Sequence, residues 1–282
     1  MRLKPALVEQ RLMQTYRWPA RRGLLEELSE ALRHRDLLLL LVQKDLKVKY
    51  KGTALGFIWS LLNPLLMMIV YSVVFSVLVR FKVQNYPIFL LSGLLPWNAF
   101  SLSLQAASTS LITNSNLVRR VHFPLEFLPL TSVLSGVVNL VMSFGILVVF
   151  ALVFRQPLGP PLLMLPVLVM LQLVFTSGVC LCLSALLVYF RDIEYLIGVG
   201  LTAFFFLTPV IYPLSAVSKS QVGFLLNFNP MTWLITGYQA IWHDNAWPDP
   251  TFMIALAVAS ITMLLFGRWV FRRLQRRFAE EV

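Results

Sequence analysis

An all-α integral membrane protein with six transmembrane helices is the fold class that this sequence predicts, and three observations carry the prediction. Of the 282 residues, 58% are hydrophobic and only 13% are charged, whereas a soluble domain needs about a quarter of its residues charged to cover its surface. Long stretches contain no Asp, Glu, Lys or Arg: 55–79, 83–118, 127–154, 156–190, 195–218, 220–243 and 250–267. Both ends of the chain are basic. A soluble enzyme is thereby excluded. The formal net charge of +11, set beside such apolar runs, points to an anionic membrane leaflet rather than to nucleic acid.

A bilayer core of about 30 Å needs about 20 apolar helical residues. Asn227, Asn229 and Pro230 break the stretch 220–243 into pieces too short to span. Six spans remain, predicted at about 55–79, 86–112, 126–154, 161–190, 195–213 and 251–270. Charge sets the orientation. Arg2, Lys4, Arg11, Arg17, Arg21, Arg22, Arg33, Arg35, Lys44, Lys47, Lys49 and Lys51 precede the first span, and Arg268, Arg272, Arg273, Arg276 and Arg277 come at the end of the last. Positive charge stays inside, so both termini are expected in the cytoplasm and the number of spans is even. Arg119, Arg120 and Arg191 then also fall inside, leaving only Arg80, Lys82, Arg155 and Lys219 outside. Residues 1–50 show no cleavable signal pattern. A basic arm (1–36) and a tail (271–282) flank the membrane domain (37–270).

Two further elements complete the architecture. Leu39, Val42, Leu46 and Tyr50 recur at helical spacing while Lys44, Lys47 and Lys51 occupy another face, which predicts an N-terminal interfacial amphipathic helix. The segment 221–247 is expected to form re-entrant external gate helices between spans five and six. Non-helical backbone at membrane depth survives only against protein or a wet cavity. An ordinary external loop lying on the interface is the competing reading.

No residue pattern supplies catalysis. His34, His122 and His243 lie in separate loops, and Cys180 and Cys182 face different sides of one helix, so neither set makes a metal site. Asp192 and Glu194 share a short loop with Arg191, which reads as a solvated turn. No catalytic, cofactor-binding or metal-ligating residue is assigned. Carriers driven by protons or sodium place acids or histidines near the midplane, yet here only Glu126, at the start of the third span, comes close. The chain also lacks a GxxxxGK[ST] loop. If the protein moves a solute uphill, the energy must enter from outside this chain, and a separate ATPase subunit holding ATP and Mg is the economical inference.

Aromatic residues suggest what is moved. Tyr71 and Phe75 lie one turn apart in the first span, and Phe204, Phe205, Thr208 and Tyr212 cluster in the fifth. Such surfaces stack on sugar rings while hydroxyls keep water partners. Lipid-facing packing is the alternative for any one of them. With Trp59 these residues form the predicted translocation path. Pro64 would release the carbonyl of Ser60, and Pro209 that of Phe205, offering exposed acceptors there.

Several blocks in order carry a resemblance: Lys44-Asp45-Leu46, Tyr50-Lys51-Gly52, Leu55-Gly56, Trp59 and Pro64; Tyr86-Pro87, Gly93 and Pro96-Trp97; Asn116-Leu117-Val118-Arg119-Arg120, Phe123-Pro124 and Glu126; Tyr189-Phe190-Arg191-Asp192, Thr208 to Pro213, and Asn229-Pro230-Met231. From about 37 to 267 the chain resembles the ABC-2 type permeases that export O-antigen, capsule and teichoic acid polymers. The resemblance implies a homodimer with a channel between subunits, bound to two copies of an ABC ATPase. It implies a coupling helix at about 114–124, with Asn116, Leu117, Arg119, Arg120, His122, Phe123 and Glu126 at the ATPase. It also implies an external gate that includes Asn229, Pro230, Trp233, Tyr238 and Trp242. The expected cargo is a lipid-linked O-antigen-type polysaccharide, with capsular or teichoic acid polymers as the alternative, crossing the inner (cytoplasmic) membrane. The expected partners are membrane lipids, that glycan, the ATPase and a second copy, with no nucleic acid. Two rivals from other classes are a passive homodimeric channel and an intramembrane glycan-handling enzyme using Asp192 and Glu194.

Overall fold

The computed structural model describes residues 35–50, 58–75, 83–120, 124–217 and 221–278. Most of the basic arm, the link 51–57, Arg80, Lys82, Lys219 and the last residues of the tail lie outside them. The chain divides into two units, Met1–Leu40 and Leu41–Val282, and of the first only 35–40 is described. Ten α-helices follow in order: α1 (Arg35–Tyr50), α2 (Ile58–Val73), α3 (Tyr86–Thr113), α4 (Ser115–Arg120), α5 (Phe127–Val153), α6 (Leu165–Tyr189), α7 (Ile193–Phe206), α8 (Gln221–Leu226), α9 (Pro230–Trp242) and α10 (Pro250–Leu274). No strand occurs among the described residues. The chain is an all-α membrane protein.

Among the described residues four helical segments are long and apolar enough to cross a membrane: α3, α5, α6 with its leading 3-10 turn from Pro160, and α10. Of the other two sequence spans, the first is described only over 58–75, which is helical throughout, and the fifth is shorter as a helix than expected. α2 holds 16 residues and continues through a π turn to Phe75. α7 has 14 residues, which rise only about 21 Å. Beyond it the chain runs through turns to Tyr212 rather than continuing as helix to 213. On α1, Val42 is buried and Leu46 half-buried while Lys44 and Lys47 are exposed, but Leu39, expected on the apolar face, is 56% exposed.

α3 occupies the centre, packing on α2, α5, α6, α7 and α9. Of its most apolar window 83% is buried in protein, against 17% for α10. Small residues permit this closeness, as is usual between membrane helices. A Cβ at Gly136 of α5 would lie 2.1 Å from the Ser103 hydroxyl oxygen of α3. The crossing of α6 with α10 is tighter still. A Cβ on Gly267 would lie 1.9 Å from the Gly178 carbonyl oxygen, and one on Gly178 would lie 2.5 Å from the backbone of Met263 and Leu264. Ser260 donates to the Leu171 carbonyl at 3.2 Å and Tyr189 to that of Leu274 at 2.8 Å, tying the two helices along their length.

The unwound stretch after α7 is buried at Thr208 to Ile211, so its carbonyls need partners from side chains. They have them. Asn229 donates to Leu207 O at 3.0 Å, Gln239 to Pro209 O at 2.9 Å, Tyr86 to Ile211 O at 2.7 Å and Tyr212 to Phe206 O at 2.8 Å. The Phe205 carbonyl, expected to be left open by Pro209, instead accepts the Thr208 N–H at 3.2 Å. A tightened last turn closes the gap that the proline would leave.

The loops sort into two ends. At one end, Asn85 donates to the Gln156 side chain at 2.8 Å, Gln156 donates to the His243 carbonyl, and His243 Nε2 meets the Gln84 carbonyl at 2.7 Å. Loops before α3, after α5 and after α9 are thus joined. At the other end, Glu126 lies beside Arg268 and Arg272, and the Tyr189 and Phe278 rings pack at 6.3 Å.

Candidate translocation groove

A cavity of about 390 Å³ opens between α2, α3 and α7. α2 lines it with Asn63, Met67 and Tyr71, one residue per turn. α3 contributes Leu94, Trp97, Asn98, Ser101 and Gln105, and α7 contributes Gly198, Leu201, Thr202, Phe205 and Phe206. Each set recurs at three- and four-residue intervals, so one face of each helix meets the cavity. The α3 row from Leu94 to Gln105 extends about 16 Å along the helix.

None of the lining residues is charged. Amides from Asn63, Asn98 and Gln105 share the wall with the hydroxyls of Ser101 and Thr202. Thr202 spends its proton on the Gly198 carbonyl at 3.0 Å, keeping lone pairs for a guest. Among the described residues the three amide side chains make no hydrogen bond of their own, which leaves donors and acceptors together at the cavity surface. Opposite them stand flat aromatic faces. Tyr71 of α2 stacks on Phe205 of α7 with centroids 5.9 Å apart and planes at 30°, and Trp97 of α3 lies 5.4 Å from the same ring. Amides and aromatic planes without charge suit a neutral, hydroxyl-rich ligand that offers C–H faces as well as O–H edges.

The other residues of the predicted path are placed differently. Trp59 is exposed near the start of α2. Phe75 packs on Tyr71 and Tyr86 at 6.4 and 6.5 Å. Phe204 turns inward to Trp97 and Phe100, at 5.8 and 6.4 Å. Thr208 is fully buried, donating to the Phe204 carbonyl and accepting from Asn229. Tyr212 donates to the Phe206 carbonyl. The aromatic cluster is therefore one assembly in which Tyr71, Trp97, Phe205 and Phe206 border the cavity, with Trp97 and Phe205 largely buried, and the other rings pack beside them.

Asn63, Asn98, Ser101, Gln105 and Thr202 are wall residues that sequence reasoning missed. Asn98, Ser101 and Gln105 do share one helical face, which was a usable signal. It was hidden because α3 is buried on nearly every side, so no apolar stripe marks its orientation.

The residues expected at an external gate cluster at and along α9. Asn229 caps it, accepting the Met231 N–H at 2.9 Å, with Pro230 in the first turn. Trp233 donates to the Asn227 carbonyl at 2.7 Å and faces Phe252 of α10. Tyr238 is buried and donates to Gln172 at 3.0 Å, while Gln172 donates to the Pro96 carbonyl at 2.8 Å. Trp242 packs on Phe144 at 5.6 Å. α9 thus lies against α3, α6 and α10, not on a free surface as an interfacial loop would.

On the opposite end, α4 carries the backbone of Asn116, Leu117, Arg119 and Arg120, with Leu117 half-buried. His122 and Phe123 lie outside the described residues. Glu126 faces Arg268 Nε at 3.4 Å and Arg272 Nε at 3.3 Å, within the same chain.

Comparisons with known proteins agree with this architecture. The sequence model of the ABC-2 type transporter family matches residues 36–242, from α1 to the end of α9. The O-antigen export system permease protein RfbA of Myxococcus xanthus is 37% identical over 254 residues, covering 90% of this chain and 98% of that protein. Proteins of the same name from Klebsiella pneumoniae are 30% and 28% identical over 246 residues, each covering 87% of this chain and 94% of the relative. The chain is a multi-pass membrane protein of the ABC-2 type transporter family, a permease subunit of an ABC transporter.

Proposed function

We propose that this permease exports a lipid-linked O-antigen-type polysaccharide across the inner (cytoplasmic) membrane, powered by a separate ATPase subunit. The observation that carries the reading is the uncharged amide and aromatic wall between α2, α3 and α7. A sugar chain offers it ring faces for Tyr71, Trp97 and Phe205, and hydroxyls for Asn63, Asn98 and Gln105. The absence of charge lets successive sugar units pass without a deep electrostatic trap. The full-length relatives named as O-antigen export permeases support the same cargo.

In this mechanism two copies of the chain form a homodimer and two ATPase subunits bind the end that carries α4. Both termini lie on that cytoplasmic side, and α2 and α7 complete six crossings. ATP and Mg would be held wholly by the partner, and closure of the ATPase pair would press on the segment 114–124 and shift α2 and α7 against α3. α8 and α9 stand at the exit, with α9 holding the unwound end of α7.

The test is reconstitution with the ATPase subunit, measuring glycan export and subunit co-purification. Asn98→Leu and Tyr71→Ala should each lower export by about tenfold, a loss of about 1.4 kcal/mol of interaction, while the ATPase still co-purifies. Export that proceeds at full rate without the ATPase, or that ignores both substitutions, sinks the proposal.

A further inference from the structure

Glu126 stands where the inner connection between α3 and α5 ends and α5 begins. Its carboxylate places one oxygen 3.4 Å from Arg268 Nε and the other 3.3 Å from Arg272 Nε. The two arginines are one turn apart on α10, so a single acid grips one face of that helix. The Glu126 side chain is only 18% exposed, which removes much of the water that weakens ordinary surface pairs. The helix dipoles add to it, since the acid sits at the N-terminus of α5 and the cations near the C-terminus of α10.

What the arginines belong to matters as much. α10 is locked to α6 by the Gly178–Gly267 backbone contact. The Tyr189 to Leu274 bond holds their shared end, and Phe278 packs on both Tyr189 and Phe271 there. A displacement delivered at Arg268 and Arg272 would therefore carry both helices as one body. On the other side, α4 follows α3 directly, with the Leu117 and Val118 N–H groups bonded to the Asn114 carbonyl at 2.8 and 3.1 Å.

We propose that Glu126 is a positioning residue, the joint through which motion of the α4 segment reaches the α6–α10 pair. The reading rests on the chain being the membrane subunit of an ATP-driven exporter. It departs from the expectation that Glu126 meets the ATPase itself: the acid is occupied within its own chain and acts after docking.

The experiment compares three forms of the full exporter, assembled with the ATPase subunit in vesicles: wild type, Glu126→Gln, and Glu126→Arg combined with Arg268→Glu and Arg272→Glu. The readout is glycan exported per ATP hydrolysed. Glu126→Gln should keep the ATPase bound and hydrolysing yet lower that ratio about tenfold, within the usual range of coupling between sites. The charge-exchanged form should recover most of it. Wild-type coupling in Glu126→Gln, or loss of the ATPase from a folded Glu126→Gln protein, overturns the proposal. Should Glu126→Gln not accumulate, the charge-exchanged form and Arg272→Gln decide alone: restored coupling in the first with a lowered ratio in the second supports the joint, and any other pattern rejects it. Failure of the wild type to couple export to hydrolysis would instead strike the exporter reading, leaving the two failures distinguishable.

Discussion

Where α6 crosses α10, glycine meets glycine and the backbones touch; where α2 faces α7 beside α3, side chains surround a cavity of about 390 Å³. The first contact is made of parts that cannot be shortened further. The second is made largely of side chains with rotamer freedom, and α7 is shorter as a helix than the span expected there. Packed cores resist displacement because any shift creates either overlap or void. The α6–α10 pair is thus built to hold its geometry, whereas the α2–α7 wall leaves its side chains room to rearrange.

The largest effect should come from a methyl group at the crossing. Gly267→Ala drives a Cβ against the Gly178 carbonyl and should cost about 3 kcal/mol, the upper part of the usual range for overpacking, read as a fall in Tm in detergent. Gly198→Ala on the groove wall makes the opposite comparison. No atom lies within 4 Å of its added Cβ, so the better helix propensity should leave stability unchanged or raise it by up to about 1 kcal/mol. Equal destabilisation by both substitutions would erase the distinction between the two regions.

A middle-sized effect is expected at Asn229. This one side chain caps α9 and donates to Leu207 O and Thr208 Oγ1, so it fixes the movable α7 end to the buried α9. Asn229→Ala should cost about 2 kcal/mol, near the top of the range for a lost cap because two further bonds go with it. Hydrogen exchange should rise chiefly over 206–213. Exchange rising equally in α6 and α10 would mean that the unwound stretch and the scaffold open together.

The smallest effect is a pH dependence at the loop end. His243 Nδ1 lies 2.6 Å from Asp244 Oδ1 and Nε2 lies 2.7 Å from the Gln84 carbonyl, and both partners are acceptors, so the doubly protonated ring fits best. The hydrogen bond to Asp244, outweighing burial, holds the His243 pKa above its ordinary 6.5. A raised value means that this stabilisation is complete below about pH 6.5 and fades as pH rises through the folded-state value. It should amount to no more than about 1 kcal/mol, the scale of a partly exposed pair. His243→Gln should flatten the pH dependence of Tm, and a slope that survives the substitution would assign it to another group.

Much of this organisation is legible in the sequence because it rests on the cost of charge and bare backbone in lipid. The charge-free stretches mark where α3, α5, α6 and α10 lie. The Asn-Pro pair at 229–230 marks the start of α9, since both residues have local reasons to be there. The groove is less legible. Tyr71 and Phe205 stand out as aromatics, but nothing local shows that Phe205 borders the cavity while its neighbour Phe204 does not. Asn98 and Gln105 were passed over because polar residues in a helix enclosed by protein produce no stripe. Glu126 was visible as an acid at a span's edge; its tie to Arg268 and Arg272, more than 140 positions away in the chain, was not.

The enclosure of α3 also bears on how the protein is made. It is the least apolar of the four long helices, rich in serine and carrying Asn98 and Gln105, and nearly all of its surface is later claimed by neighbours. Yet it leaves the ribosome before α5, α6, α7 and α9 do. Alone, it would confront hydrocarbon with hydroxyls and amides. Of the four long helices α3 therefore gains least from hydrocarbon, so the segment around which the finished molecule is arranged is the one that depends most on the helices made after it.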